Sequence, residues 1–177
     1  FYNARNIKRK MVGDIILAYN KFCSLLPKEK ADKCLLLMHT SPVDQHGTHL
    51  PNLIKELCTH GDVAFSDQKI SPEALNMLYN IADVTILISS NEGFGLSGAE
   101  SLMCGTPIIL NVTGGMQDQC GFKINDKHIT YKDYSEIGSL HDHRLWENNE
   151  SLTHGEWVKP VWPKTRSLMG SVPTPYI

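Results

Sequence analysis

The stretch from Glu92 to Glu100 places two carboxylates on either side of a glycine turn, Gly93-x-Gly95-x-x-Gly98. Glycines at this spacing let backbone N–H groups come close to a phosphate. A plain dinucleotide site has no use for a carboxylate immediately before its glycines, because pyrophosphate is itself anionic. A site that holds a phosphate beside a polyhydroxylated group does have one, since carboxylate oxygens accept hydrogen bonds from hydroxyls. The stretch therefore points to a nucleotide-sugar. A nicotinamide site would also want an acid about 20 positions further on, at the end of the next strand. That strand closes as Leu110-Asn111-Val112-Thr113, and no acid occurs from Ser101 to Gln117. The ribose-gripping carboxylate then belongs inside the motif.

Each acid has a plainer reading beside this one. Ser97-x-x-Glu100 at a helix start is a capping box, which can coexist with ribose binding. Glu92 has no capping geometry to supply, so its plain reading is a solvated loop charge. Arg5, Lys8, Arg9 and Lys10 form a dense basic cluster with no acid before Asp14. It reads as a solvated basic helix start, as a nucleic-acid arm, or as an anion site. Cations at a helix start oppose the macrodipole unless an anion is bound there. With a diphosphate, arginine would bind bidentately and lysine as a point charge, and this anion site is the favoured reading. His39, His46 and His49 gather in a loop after a strand pattern. They lack the spacing and rigidity of metal ligands, so a rim contact to substrate or a partner domain is expected instead. His128, His141, His143 and His154 are taken as surface residues.

The elements that must position these groups alternate along the first 120 residues or so. Met11, Ile15, Ile16, Tyr19, Phe22, Cys23 and Leu26 recur at helical spacing, and Pro27 stops the run. Cys34 to Met38 is a short apolar run fit for a buried strand. Leu50, Leu53, Ile54 and Leu57 predict a helix closed by Gly61. Val63 to Phe65 predicts a strand, and Ser71-Pro72-Glu73 predicts an N-cap with proline in the first turn. Val84 to Ile88 predicts a strand, Ser97 to about Met103 a helix, and Ile108 to Leu110 another strand. Strands separated by helices imply right-handed crossovers and a parallel sheet. Ligands in such sheets sit beyond the carboxyl ends of the strands, so the loops after Met38, Phe65, Ile88 and Leu110 are expected on one rim.

The chain has 177 residues, 41% of them hydrophobic and 20% charged, as in a soluble globular protein with room for one ordinary core. A net charge of −2 argues against nucleic acid or a charged membrane as the main partner. No apolar run is long enough to cross a membrane, and no signal peptide opens the chain. Five scattered cysteines without a C-x-x-C pair favour a reducing compartment, hence a cytoplasmic location, over a zinc site or disulfide framework. Residues 1–124 are expected to form a Rossmann-like domain. Residues 125–177 hold Trp146, Trp157 and Trp162 with Pro160, Pro163, Pro173 and Pro175. With no sustained period, they are expected to form an irregular extension, partly ordered by its aromatics and incomplete at its end. Starting at Phe1 without methionine and ending after a Pro-rich stretch, the chain reads as a fragment.

With the paired acids, the glycine turn and the basic cluster in hand, a family resemblance emerges. The run from Val84 through Glu92, Glu100 and Pro107 resembles the signature of retaining glycosyltransferases of family four, which have the GT-B fold. Asn3-Ala4-Arg5 to Lys10 is similar to that family's phosphate-gripping entry to its donor half. Phe65-Ser-Asp-Gln-Lys-Ile70 resembles the turn lining the base, and Thr113-Gly114-Gly115 the turn after the next strand. The resemblance covers roughly residues 1 to 122, and the Glu-x7-Glu segment is its specific part.

The resemblance implies an α/β, Rossmann-like parallel sheet flanked by helices, the C-terminal half of a GT-B fold. It implies transfer of a sugar from a nucleoside diphosphate to an acceptor hydroxyl with retention. Arg5 and Lys10 would hold the diphosphate, and Glu92 the sugar hydroxyls. The backbone of Gly93, Phe94, Gly95 and Leu96 would meet sugar and phosphate. Glu100 would bind the ribose, Lys69 and Ile70 would flank the base, and Thr113 with Gly114 would line the donor. The absence of an Asp-x-Asp pair fits a mechanism without metal or other cofactor. The N-terminal acceptor half is absent from the chain, so the fragment alone is expected to be inactive, and any peripheral membrane contact would come through that half. Two other readings remain open: a GT-B-type sugar-nucleotide epimerase, and a non-catalytic nucleotide-sugar-binding or assembly module.

Overall fold

A computed structural model describes residues 1–129, 150–162, 165–169 and 172–176. Trp146, His141, His143 and Pro163 lie outside the described residues. The chain forms two compact units, Phe1–Ala82 and Asp83–Ile177.

The first unit is built on three parallel strands, β1 (Tyr2–Asn3), β2 (Leu35–His39) and β3 (Asp62–Phe65), ordered β1-β2-β3. Tyr2 pairs with Met38, and Met38 with Phe65, so the strands end nearly level. Between and after them run α1 (Val12–Ser24), α2 (Lys28–Ala31), α3 (Leu50–Leu57) and α4 (Pro72–Ile81). α1 forms because Val12, Ile15, Ile16 and Cys23 share one buried face, while Pro27 ends the helical run. α4 starts as its sequence dictates: Ser71 Oγ accepts from Ala74 N at 3.2 Å, and Pro72 opens the first turn. Met38, Leu50, Ile15 and Ile16 are fully buried, and Phe1 packs edge-on against Tyr79 with ring centres 5.2 Å apart. β2 is not buried on both faces as its apolar run suggests. Leu36 and Met38 are buried, whereas Leu35 is exposed.

The basic cluster does not begin α1. Lys8–Lys10 form a separate 3-10 turn, closed by Met11 in the left-handed conformation (φ 54°), and α1 starts at Val12. The turn is fixed by Met11 N donating to Lys8 O, while Met11 O already accepts from Ile15 N. The chain thus changes direction between the cations and the helix.

The second unit has its own parallel sheet, β4 (Thr85–Leu87), β5 (Ile108–Asn111) and β9 (Val158–Val161), in the order β4-β5-β9. α5 (Leu96–Met103) connects β4 to β5, and the short α6 (Met116–Gln119) follows β5. β6 (Lys123–Ile124), β7 (Lys127–His128) and β8 (Leu152–Thr153) make a small antiparallel sheet, and β10 (Thr165–Met169) pairs antiparallel with β11 (Val172–Tyr176). The core gathers Leu87, Ile108, Leu110, Val112, Met116, Cys120, Phe122 and Val158. β9 was not legible as a strand, yet it pairs with β5 over four residues. Trp162, just beyond it, stacks on Phe122 with ring centres 5.3 Å apart. Among the described residues no helix is long and apolar enough to cross a membrane.

The expected α/β architecture of parallel strands flanked by helices is what the chain adopts. The strand-end loops fall into two groups, one in each unit.

Candidate donor-binding site

In the first unit, a cleft of about 330 Å³ opens beyond the carboxyl ends of β1, β2 and β3. Its walls are Asn3, Ala4 and Arg5 after β1, His39, Thr40 and Ser41 after β2, and Ser66, Asp67, Gln68 and Lys69 after β3. The cleft lies where a parallel sheet is expected to bind a ligand, and its size is near the lower end of the roughly 300–1,000 Å³ typical of small-molecule sites. It brings Arg5 and Lys69 together; Lys10 and Ile70 are not among its walls. His39 Nδ1 and Ser66 Oγ are hydrogen-bonded at 3.0 Å across the β2 and β3 ends.

Arg5 has a partner that sequence reasoning missed. Its Nε donates to Asp44 Oδ2 at 2.8 Å and its Nη2 to Asp44 Oδ1 at 3.3 Å, a bidentate pair. Asp44 Oδ1 also accepts from His46 N at 2.9 Å. The Arg5 hydrogen bonds, and then the His46 N–H, hold the Asp44 carboxyl below the usual aspartate range, while Asp44 raises Arg5. Asn6 was missed as well. It is buried, and its Nδ2 donates to Thr48 O at 2.7 Å and Ser41 O at 3.2 Å while its Oδ1 accepts from Thr48 N at 3.1 Å. One amide thereby pins both ends of the loop that carries Asp44. A buried asparagine inside a basic run leaves no periodic signal, so only the fold reveals it.

The three clustered histidines have different local tasks. His39 faces the cleft, His46 accepts Lys8 N through its backbone oxygen at 3.1 Å, and His49 caps α3 by accepting Asn52 N at 3.2 Å.

In the second unit the glycine turn is a braced structure. Gly95 adopts φ 86° as the N-cap of α5, and its oxygen accepts from Gly98 N at 3.0 Å and Ala99 N at 3.2 Å. This corrects the capping box. The helix opens at Leu96, without a side-chain cap, so Ser97 already lies in the first turn. The left-handed turn at Gly95, open to a glycine at little cost, starts the helix before serine can.

A second turn after β5 holds the first. Gly115 N donates to Glu92 O at 3.0 Å, Thr113 Oγ1 to Ser90 O at 3.2 Å, and Asn111 Nδ2 to Ser89 O at 2.9 Å. Side chains at Gly114 (φ 50°) or Gly115 would collide with the oxygens of Glu92 and Gly93 respectively. The two turns therefore meet backbone to backbone. From α6, Gln119 Nε2 donates to Phe94 O at 2.5 Å and Gly95 O at 3.2 Å, a brace that sequence reasoning did not find. Of the expected donor residues in this unit, Glu92 is buried at 8% exposure, while Phe94 and Leu96 are exposed at 57% and 71%. A Cβ at Gly93 would meet open space. The turn thus has one face locked into the protein and one open.

Both units are built on parallel sheets flanked by helices, and the second carries a braced glycine turn. Residues 44–137 match the glycosyl transferases group 1 family, and the chain belongs to that family. Over 104 residues it is 30% identical to a mannosylfructose-phosphate synthase of Agrobacterium fabrum, covering 56% of this chain and 23% of that protein. Over 39 residues it is 51% identical to a D-inositol 3-phosphate glycosyltransferase of Thermomonospora curvata, covering 22% of this chain and 9% of that protein. The matched segments thus span less than a quarter of either relative. Among solved structures, the chain resembles the N-terminal domain of trehalose-6-phosphate phosphatase from Candida albicans. The TM-score is 0.56 at 20% identity, over 66% of this chain and 29% of that one, a likeness of fold alone.

Proposed function

We infer that the chain is the donor-binding part of a retaining glycosyltransferase that uses a nucleoside-diphosphate sugar. The observation that carries this reading is Glu92, a carboxylate buried inside a glycine turn whose backbone is locked from behind. Carboxylate oxygens accept hydrogen bonds from sugar hydroxyls, and the turn that begins beside Glu92 at Gly93 has open space on its outer face. The family match encloses the whole of this turn and both of its acids.

In the reaction, the bond from the anomeric carbon to the diphosphate oxygen breaks heterolytically. An acceptor hydroxyl forms the new bond on the same face and gives its proton to the departing diphosphate oxygen, on which negative charge has collected. Arg5 and Lys10 stabilise that charge, and the backbone amides at the start of α5 add to it. Glu92 orients the sugar, Glu100 holds the ribose, and Lys69 with Ile70 flanks the base; Thr113 and Gly114 complete the donor wall. The two cations and the α5 amides together neutralise the leaving group, so its stabilisation needs no metal in this scheme. Acceptor binding is assigned to a further half of the full-length protein, without which the chain does not turn over.

The test is the anomeric configuration of the product formed by full-length protein from an α-linked donor, read by proton NMR. Retention gives an α-linked product. A β-linked product would exclude the retaining mechanism, and epimerised nucleotide-sugar with no transfer would favour an epimerase.

A further inference from the structure

Arg5 and Asp44 form a pair whose geometry goes beyond charge neutralisation. Asp44 contacts the guanidinium along its Nε–Nη2 edge. The opposite edge, Nη1 with the second N–H of Nη2, has the same fork geometry and makes no hydrogen bond among the described residues. The two partners are unequally fixed. The Asp44 side chain is 12% exposed and that of Arg5 60%. Asp44 sits on a loop pinned by Asn6 and is further oriented by His46 N, which makes the carboxylate the stationary partner. Arg5 itself forms part of the cleft wall.

We propose that Asp44 is a positioning residue that holds the outer edge of the Arg5 guanidinium ready for a phosphate of the donor. This rests on the reading of Arg5 as a diphosphate ligand. A long arginine side chain loses rotamer freedom when it grips an anion, and a carboxylate that has already fixed one edge removes much of that loss. Asp44 also carries a negative charge near the anion, which opposes binding. Arg5 can engage both groups at once through separate edges, so the ordering effect outweighs the repulsion. Asp44 touches no substrate and acts only through Arg5.

The experiment is a double-mutant cycle in the full-length protein, with inorganic pyrophosphate as the probe and calorimetry as the readout. Arg5→Ala is expected to weaken binding by about tenfold, as for loss of a charge-assisted bond. Asp44→Asn keeps an acceptor for His46 N. It is expected to weaken binding by about threefold to fivefold with Arg5 present and by less than twofold without it. Asp44→Ser is measured beside it, so that a folding defect in one variant does not decide the outcome. If Arg5→Ala has no effect, the diphosphate role of Arg5 fails. If Arg5→Ala weakens binding but the Asp44 variants leave it unchanged or tighter, Asp44 is only a competing charge and the positioning role is overturned. Equal losses on both backgrounds would also overturn it, because Asp44 would then act through its loop.

Discussion

Gly115 N donates to Glu92 O at 3.0 Å, so the turn after β5 grips the turn after β4 at the residue carrying the buried carboxylate. Thr113, Asn111 and Gln119 add side-chain bonds to the same stretch. The result is a preorganised loop, its backbone held from behind before any ligand arrives.

Glycine substitutions should separate bracing from ligand contact. Gly114→Ala forces a side chain at φ 50° into the Glu92 oxygen and is expected to lower stability by about 1–3 kcal/mol in urea unfolding. Gly93→Ala adds a methyl to open space, so stability should change by less than about 1 kcal/mol while nucleotide-sugar affinity falls. Equal stability losses in the two variants would show that the outer face is also structural.

Glu100→Gln in the full-length protein should weaken nucleoside-diphosphate binding by about tenfold, the order expected for a hydrogen bond to a charged group. α5 is opened by Gly95 and not by a Ser97 cap, so this variant should leave the helix start intact. Unchanged affinity would remove Glu100 from the ribose site.

Lys10→Ala should lower turnover by about 100-fold, on the scale of roughly 3 kcal/mol for one fixed donor at a developing charge. The thermal midpoint should move by only a few degrees, since Lys10 lies in a 3-10 turn with no buried residue. Activity should also survive EDTA. A parallel loss of stability and turnover would contradict the leaving-group role, and abolition by the chelator would contradict metal-free stabilisation.

The Asp44 carboxyl should titrate below the ordinary aspartate range, in a carbon-13 NMR titration, because Arg5 and the His46 N–H favour its charged form. With the folded value depressed, the stabilisation from this group is complete above the unfolded aspartate pKa and disappears as pH falls through the folded one. Arg5→Ala should return the midpoint toward the ordinary value. No change in that variant would mean the pair is absent in solution.

Local chemistry made much of the fold legible. The Ser71-Pro72 start of α4, the α1 face and the short strands were all readable because capping, proline and period act within a few residues. β9 was not, because Val158-Lys-Pro-Val161 carries a charge and a proline and becomes a strand by pairing with β5. Proline is tolerated there at the edge of the β4-β5-β9 sheet. The site divides in the same way. The acids and glycines announce themselves by spacing, whereas Asp44, Asn6 and Gln119 act through partners 24 to 42 residues away in the chain. Nor could spacing show that Gly95, rather than Ser97, begins α5, since that depends on a left-handed backbone.

The proposed binding of a nucleoside-diphosphate sugar rests on Glu92 and its glycine turn. Calorimetric titration of the full-length protein with UDP-, GDP- and ADP-sugars, repeated on Glu92→Gln, tests it most directly. One donor class is expected to bind the native protein, and Glu92→Gln to weaken the intact sugar donor by about tenfold with little change for the parent nucleoside diphosphate. Failure of all three classes to bind, or equal losses for donor and diphosphate, would contradict it.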